Sequence, residues 1–281
     1  MFTFTTSDDV TIHVREWLPD GPPRAVVQIA HGMGEHSARY TPLAQALAAR
    51  GYAVYADDHR GHGLSMHAGP GVLGDDGWNQ LVEDLATLSA TARQRHPGLP
   101  LVLLGHSLGS FAAQQYVMDH PGLADVVVLC GTTAVDGLFA RLIEAGPDVM
   151  AAFNAPFQPA RTDADWLSRD EAQVDAYLAD PWCGFTLDDT AMAELSTAAS
   201  SRLAEPLGIP ADLPVYVLVG DQDPLNAHLS LSALLVERYR KAGLNRLTYR
   251  TYPGARHELF NEINRDEVVA DLLAWLDDVT R

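Results

Sequence analysis

The sequence predicts an α/β fold: a mostly parallel, eight-stranded sheet with helices on both faces and a helical cap over one edge. Three observations carry that expectation. Short apolar runs alternate with amphipathic helical stretches, the rhythm stops once between residues 132 and 212, and the residues able to do chemistry lie just past the ends of apolar runs. Strands joined through helices run parallel and are covered by those helices on both faces.

Taken in order, residues 2–5 and 11–17 alternate apolar with polar and form an opening hairpin, the antiparallel edge of the sheet. Runs at 25–30, 53–56, 101–104, 126–130, 215–219 and 247–252 supply six further strands. Helical spacing fills most intervals, at 39–50, 79–96, 111–119, 229–242 and 266–279. Between 132 and 212 the stretches 138–144, 171–178 and 190–195 read as helices with no strand between them. This places a core at 1–131 and 213–281, with a cap of 132–212 inserted where it covers the C-terminal edge of the sheet.

A chain of 281 residues without linker, repeat or low-complexity tract reads as one large catalytic domain. Its 19 basic against 37 acidic residues give a formal charge of −18, which excludes the basic surface that nucleic acid requires. Segment 132–212 alone carries four basic residues (Arg141, Arg161, Arg169, Arg202) and fourteen acidic ones, a net of −10. Such a cap is repelled by anionic lipid, so no stable membrane association is expected. The first residues lack the basic region and apolar core of a signal peptide, and no apolar run approaches the roughly 18 residues of a membrane span. A cytoplasmic protein is expected, and two cysteines, Cys130 and Cys183, fit a reducing compartment as buried, unreactive thiols.

The richest motif is Gly105-His106-Ser107-Leu108-Gly109, between an apolar run and a helical one. In that strand–turn–helix context the glycines permit a sharp turn that presents Ser107 as a nucleophile. A serine of ordinary basicity needs a base and an orienting acid, and both follow in the order acid, then histidine. Asp221 and Asp223 sit just past the 215–219 strand, and His257 sits in the loop beyond 247–252. Asp223 is the favoured acid, with Asp221 as its competitor. A tetrahedral oxyanion needs two backbone N–H donors, one from the residue after the nucleophile and one from the loop after the third strand. These are Leu108 and Met33, the latter between Gly32 and Gly34.

The motifs HGMGEHSARY (31–40), DHRGHGLS (58–65), GHSLGS (105–110), GDQDP (220–224) and YPGARHELFNE (252–262) resemble the α/β-hydrolases, in their monoacylglycerol lipase and lysophospholipase-like branch. The resemblance implies Ser107 as nucleophile, Asp223 as acid, His257 as base, and Met33 with Leu108 as oxyanion donors. Ser110 departs from it, standing where a glycine is common, and segment 132–212 carries none of its signatures.

The expected activity is hydrolysis of a small or medium-chain monoester of monoacylglycerol type through an acyl-enzyme on Ser107, with no cofactor and no metal. The other readings are a lysophospholipase or peptidase of the same superfamily, and a non-catalytic ligand-binding protein on the same fold. His31 and His36 read as histidines that order their loop, His59 and His62 as a pair without a third metal ligand, and His106 as pointing away from the nucleophile. Phe153, Phe157, Trp166, Trp182 and Phe185 either line an acyl pocket or pack within the cap.

Overall fold

Five apolar runs become strands in which every residue is buried: β3 (Ala25–Ala30), β4 (Tyr52–Asp57), β5 (Leu101–His106), β6 (Val126–Cys130) and β7 (Val215–Gly220). This is the computed structural model of the chain, and it describes residues 1–146 and 149–281. β1 (Phe2–Thr5), β2 (Thr11–Trp17) and β8 (Leu247–Tyr252) complete a sheet ordered β1-β2-β4-β3-β5-β6-β7-β8. The β1/β2 and β2/β4 pairs are antiparallel and the other pairs parallel, so the opening hairpin is the antiparallel edge.

Because successive side chains of a strand point to opposite faces, one set of buried strands feeds two cores. Val27, Ile29, Val102, Leu104, Val128 and Leu218 pack with Leu43 and Leu47 of α1 (Thr41–Ala49) and Leu272 and Leu276 of α9 (Arg265–Val279). Their neighbours Val26, Leu103, Val127, Leu129 and Val217 pack with α2 (Gly77–Arg95), α3 (Leu108–Asp119) and α8 (Ser230–Lys241) on the other face. Each fully buried aliphatic side chain contributes roughly 1.5–3 kcal/mol.

Several boundaries move for identifiable reasons. The helix expected from residue 39 starts as a 3-10 turn over Ser37–Tyr40, and α1 begins at Thr41 with Pro42 in its first turn, where a missing N–H costs nothing. α3 begins at Leu108 rather than at 111, because the turn around Ser107 is one residue wide. Between β6 and β7 lie α4 (Val135–Ala145), α5 (Val149–Asn154), α6 (Glu171–Ala179) and α7 (Asp189–Ser200), and no strand among the described residues. α5 was not legible in the sequence. Asp170 and Asp188 cap α6 and α7, accepting from Ala172 N–H at 3.1 Å and Ala191 N–H at 2.8 Å. Among the described residues no helix is long and apolar enough to cross a membrane.

The parallel register brings Ala30, Gly105, His106, Cys130, Gly220 and Tyr252 to the C-terminal ends of their strands, at one edge of the sheet. There each loop turns over the edge, as in open α/β sheets generally.

Candidate active site

Ser107 sits between β5 and α3 at φ 50°, ψ −121°, a conformation an L-residue holds only when its surroundings enforce it. The enforcement is visible. Ser107 N–H donates to Cys130 O at 3.1 Å, Gly109 N–H donates to His31 O at 3.0 Å, and the Ser110 hydroxyl donates to Ser107 O at 2.6 Å. A Cβ on Gly105 would collide with the Gly109 carbonyl, and one on Gly109 with the Ala30 carbonyl. The serine at position 110 thus supplies an extra tie to the turn.

His257, in the loop after β8, directs Nδ1 at Asp223 Oδ2, 2.9 Å away. Asp223, just past β7, is 2% exposed and also accepts from Leu225 N–H at 2.9 Å and Asn226 Nδ2 at 3.2 Å. Its carboxylate is fixed by three donors. Asp221 takes another part: its Oδ1 accepts from Gly254 N–H at 2.8 Å and braces the loop that carries His257. Burial opposes a charge on His257, but the Asp223 carboxylate, with Glu258 and Glu35 behind it, outweighs burial and raises the imidazole above its usual value.

Around the turn, Met33 follows β3 and Leu108 opens α3, whose N-terminus points its free amides at the same space. Among the described residues the N–H groups of Met33 and Leu108 find no protein acceptor. His31 shapes the loop below them: its Nδ1 donates to Gly32 O at 2.7 Å and its Nε2 accepts from His59 N–H at 2.9 Å. Burial, then His59, pushes the His31 pKa well down, so it stays neutral in this role. His59 is held by Asp57 at 2.7 Å, while Asp58 accepts from Ser37 N–H and Leu64 N–H, both at 2.9 Å. The 58–65 motif is therefore scaffold for the loop.

A buried ionic network joins that loop to the histidine. Glu35 Oε1 accepts from Gly32 N–H at 2.5 Å and Tyr40 OH at 2.7 Å, and Oε2 from Arg39 Nη1 at 2.6 Å. Arg39 also pairs bidentately with Glu258, the residue after His257, and lies over the Tyr177 ring at 4.9 Å. Burial opposes the Glu258 charge, yet Arg39 holds its pKa down at about 2.

Ser107, His257, Met33 and Leu108 open onto one cavity of about 60 Å3. Glu35, Glu258 and Tyr177 are among its polar lining residues; Leu138, Phe139, Leu142, Phe153, Trp166 and Leu195 are among its apolar ones. Trp166 lies 5.1 Å from the His257 ring, and the segment around it is tied to the histidine loop by Glu258 N–H donating to Leu167 O at 2.8 Å.

Two readings of the sequence, those of His106 and Cys183, need correction, and the open choice for the aromatic candidates is resolved residue by residue. His106 does not point away: its ring packs 4.8 Å from His257 at the cavity wall, where burial and then the neighbouring imidazole lower its pKa to about 4. Of the five aromatic candidates only Phe153 and Trp166 line the cavity; Phe157 lies over Arg256, Phe185 against His62, and Trp182 against His36, 37% exposed. Cys130 is buried as expected, but Cys183 is only partly so. The ionic network was missed altogether, because Glu35, Arg39 and Glu258 read as ordinary charged loop residues until the fold joins them.

Residues 21–264 match the family model described as serine aminopeptidase, S33. The chain is 36% identical to the monoacylglycerol lipase of Mycolicibacterium smegmatis over 92% of its length and 90% of the relative's. It is 30% identical to the human monoglyceride lipase, covering 98% of this chain and 89% of that one. Among solved structures, that of a thermostable carboxyl esterase from Bacillus coagulans in complex with glycerol superposes with a TM-score of 0.87 at 27% identity, covering 100% of this chain and 98% of the other. The chain belongs to the α/β-hydrolases, in the family of the S33 model and its monoacylglycerol lipase and lysophospholipase-like branch.

Proposed function

We propose that this protein is a carboxylic ester hydrolase that cleaves small or medium-chain monoesters of monoacylglycerol type through an acyl-enzyme on Ser107. The observation that carries the reading is the fixed His257–Asp223 pair at 2.9 Å, opening onto the same cavity as a serine held at positive φ. In the proposed cycle His257 takes the Ser107 proton as the hydroxyl attacks the ester carbonyl, and Asp223 holds the imidazole tautomer. The Met33 and Leu108 amides receive the oxyanion, His257 returns the proton to the leaving alcohol, and water then releases the acid. None of these steps needs a metal or cofactor.

Residues 132–212 act in this reading as a cap on a core of 1–131 and 213–281, supplying the apolar wall for the acyl chain through Phe153, Trp166 and Leu195. An ester is favoured over an N-terminal peptide, as the carboxylates on the lining are already occupied. Glu35 and Glu258 together bind Arg39, Gly32 N–H, Tyr40 OH and Asn261 Nδ2, so both carboxylates are engaged in the network that joins the two loops. A fluorophosphonate probe tests the assignment: it should label the wild type and not Ser107→Ala. A series of monoacylglycerols of increasing chain length then defines the substrate; equal labelling of the two proteins would reject Ser107 as nucleophile.

A further inference from the structure

We propose that His36, Asp180 and Cys183 form a binding site for a zinc-class divalent transition-metal ion, which would staple the 180–185 segment to the loop after β3. Three different donor types converge there: His36 Nε2, an Asp180 carboxylate oxygen and Cys183 Sγ lie within 4.8 Å of one another. Tetrahedral zinc, with bonds of about 2.0–2.3 Å, places its donors about 3.3–3.8 Å apart, so shifts of roughly an ångström close the site. Imidazole with thiolate selects zinc, cobalt or copper over magnesium and calcium, which take oxygen ligands.

The donors are positioned before any ion arrives. Cys183 N–H donates to Asp180 O at 3.1 Å, making a turn that brings both side chains to one side, and Gly184 N–H donates to Gly34 O at 3.0 Å, tying that turn to the His36 loop. Asp180 Oδ1 accepts from Trp182 N–H at 2.9 Å, which orients the carboxylate so that Oδ2 meets His36 Nε2 at 2.9 Å. Outer hydrogen bonds of this kind fix metal ligands. His36 Nδ1 is buried without a partner among the described residues, so carrying the ring proton there leaves a donor unpaired, a cost that the metal bonds must exceed. The Asp180 side chain is 30% exposed and Cys183 is partly so, leaving a path from solvent.

Binding exchanges protons for the ion. The Cys183 thiol loses its proton to solvent as the sulfur–metal bond forms. The His36 proton moves to Nδ1, the Nε2 lone pair and the Asp180 carboxylate complete three protein ligands, and water takes the fourth position.

The test is titration of EDTA-treated protein with cobalt(II), then zinc. Wild type should develop a thiolate-to-cobalt charge-transfer band with tetrahedral visible bands, and zinc should abolish both. Cys183→Ser should lose the charge-transfer band and weaken zinc binding by about tenfold or more, since even outer partners are worth about 10–100-fold. A second measurement needs no variant: the zinc X-ray absorption spectrum of the loaded wild type should show one sulfur neighbour at about 2.3 Å. The proposal is overturned if wild type shows no thiolate–cobalt band, if the bound zinc has no sulfur neighbour, or if Cys183→Ser binds as tightly, the last meaning adsorption to surface carboxylates.

Discussion

Arg39 and Glu258 are joined by a two-pronged ion pair at 2.6 and 2.8 Å, and through it the loop carrying Met33 is linked to the residue beside His257. Arg39 makes the connection because its second carboxylate partner, Glu35, holds the Gly32 amide. One guanidinium thereby couples two loops that are far apart in sequence.

Replacing Arg39 with Gln should strand two carboxylates whose side chains are only 4% and 6% exposed. Breaking a buried pair from one side costs about 3–5 kcal/mol, measurable by urea unfolding. Arg39→Lys should recover only part of this, since an ammonium does not match the two-pronged geometry. Unchanged stability in Arg39→Gln would show the network to be energetically idle.

Ser107→Ala and His257→Ala should each lower kcat by about 10⁴-fold or more while leaving the fold intact. Asp223→Asn should cost roughly 10⁴-fold through loss of the correct histidine tautomer. Asp221→Asn should cost far less, since that carboxylate braces Gly254. A reversed order of the two aspartates would move the acid to Asp221.

Hydrolysis requires neutral His257, and the Asp223 side raises its pKa against burial. The acid limb of kcat/KM should therefore begin above the roughly 6.5 of a free imidazole, activity falling as pH drops through the raised value. Asp223→Asn should move the limb of its residual activity downward. A profile flat to about pH 5 in the folded wild type would remove His257 as base.

Backbone and side chain separate at position 33. Met33→Ala keeps the amide and should change kcat little, whereas Met33→Pro removes a donor and should cost about 10²–10³-fold. Equal loss in both would assign the contribution to the thioether side chain.

The net charge of −10 on 132–212 should keep the protein off anionic vesicles, with a rate that rises smoothly through the substrate's micellar threshold. Co-sedimentation with phosphatidylserine liposomes and a rate–concentration curve check this. Tight binding to the vesicles or a sharp jump in rate at the threshold would overturn this expectation.

The strands and the candidate triad were legible in the chain because each depends on local rules. Buried parallel strands must be continuously apolar, a one-residue turn before a helix must be flanked by glycines, and the loops past strand ends must hold the polar groups. Ser107, Asp223 and His257 could thus be named from spacing and motif. What only the tertiary structure decided is whatever depends on side chains distant in sequence meeting in space. The hydrogen bonds of Asp223 to His257 and of Asp221 to Gly254 are of this kind. The turn of His106 towards His257, the exclusion of Trp182 and Phe185 from the cavity wall, and the Glu35–Arg39–Glu258 bridge have the same origin. Periodicity records which face of an element is apolar; it carries no information about which charged group on another loop will neutralise a buried one.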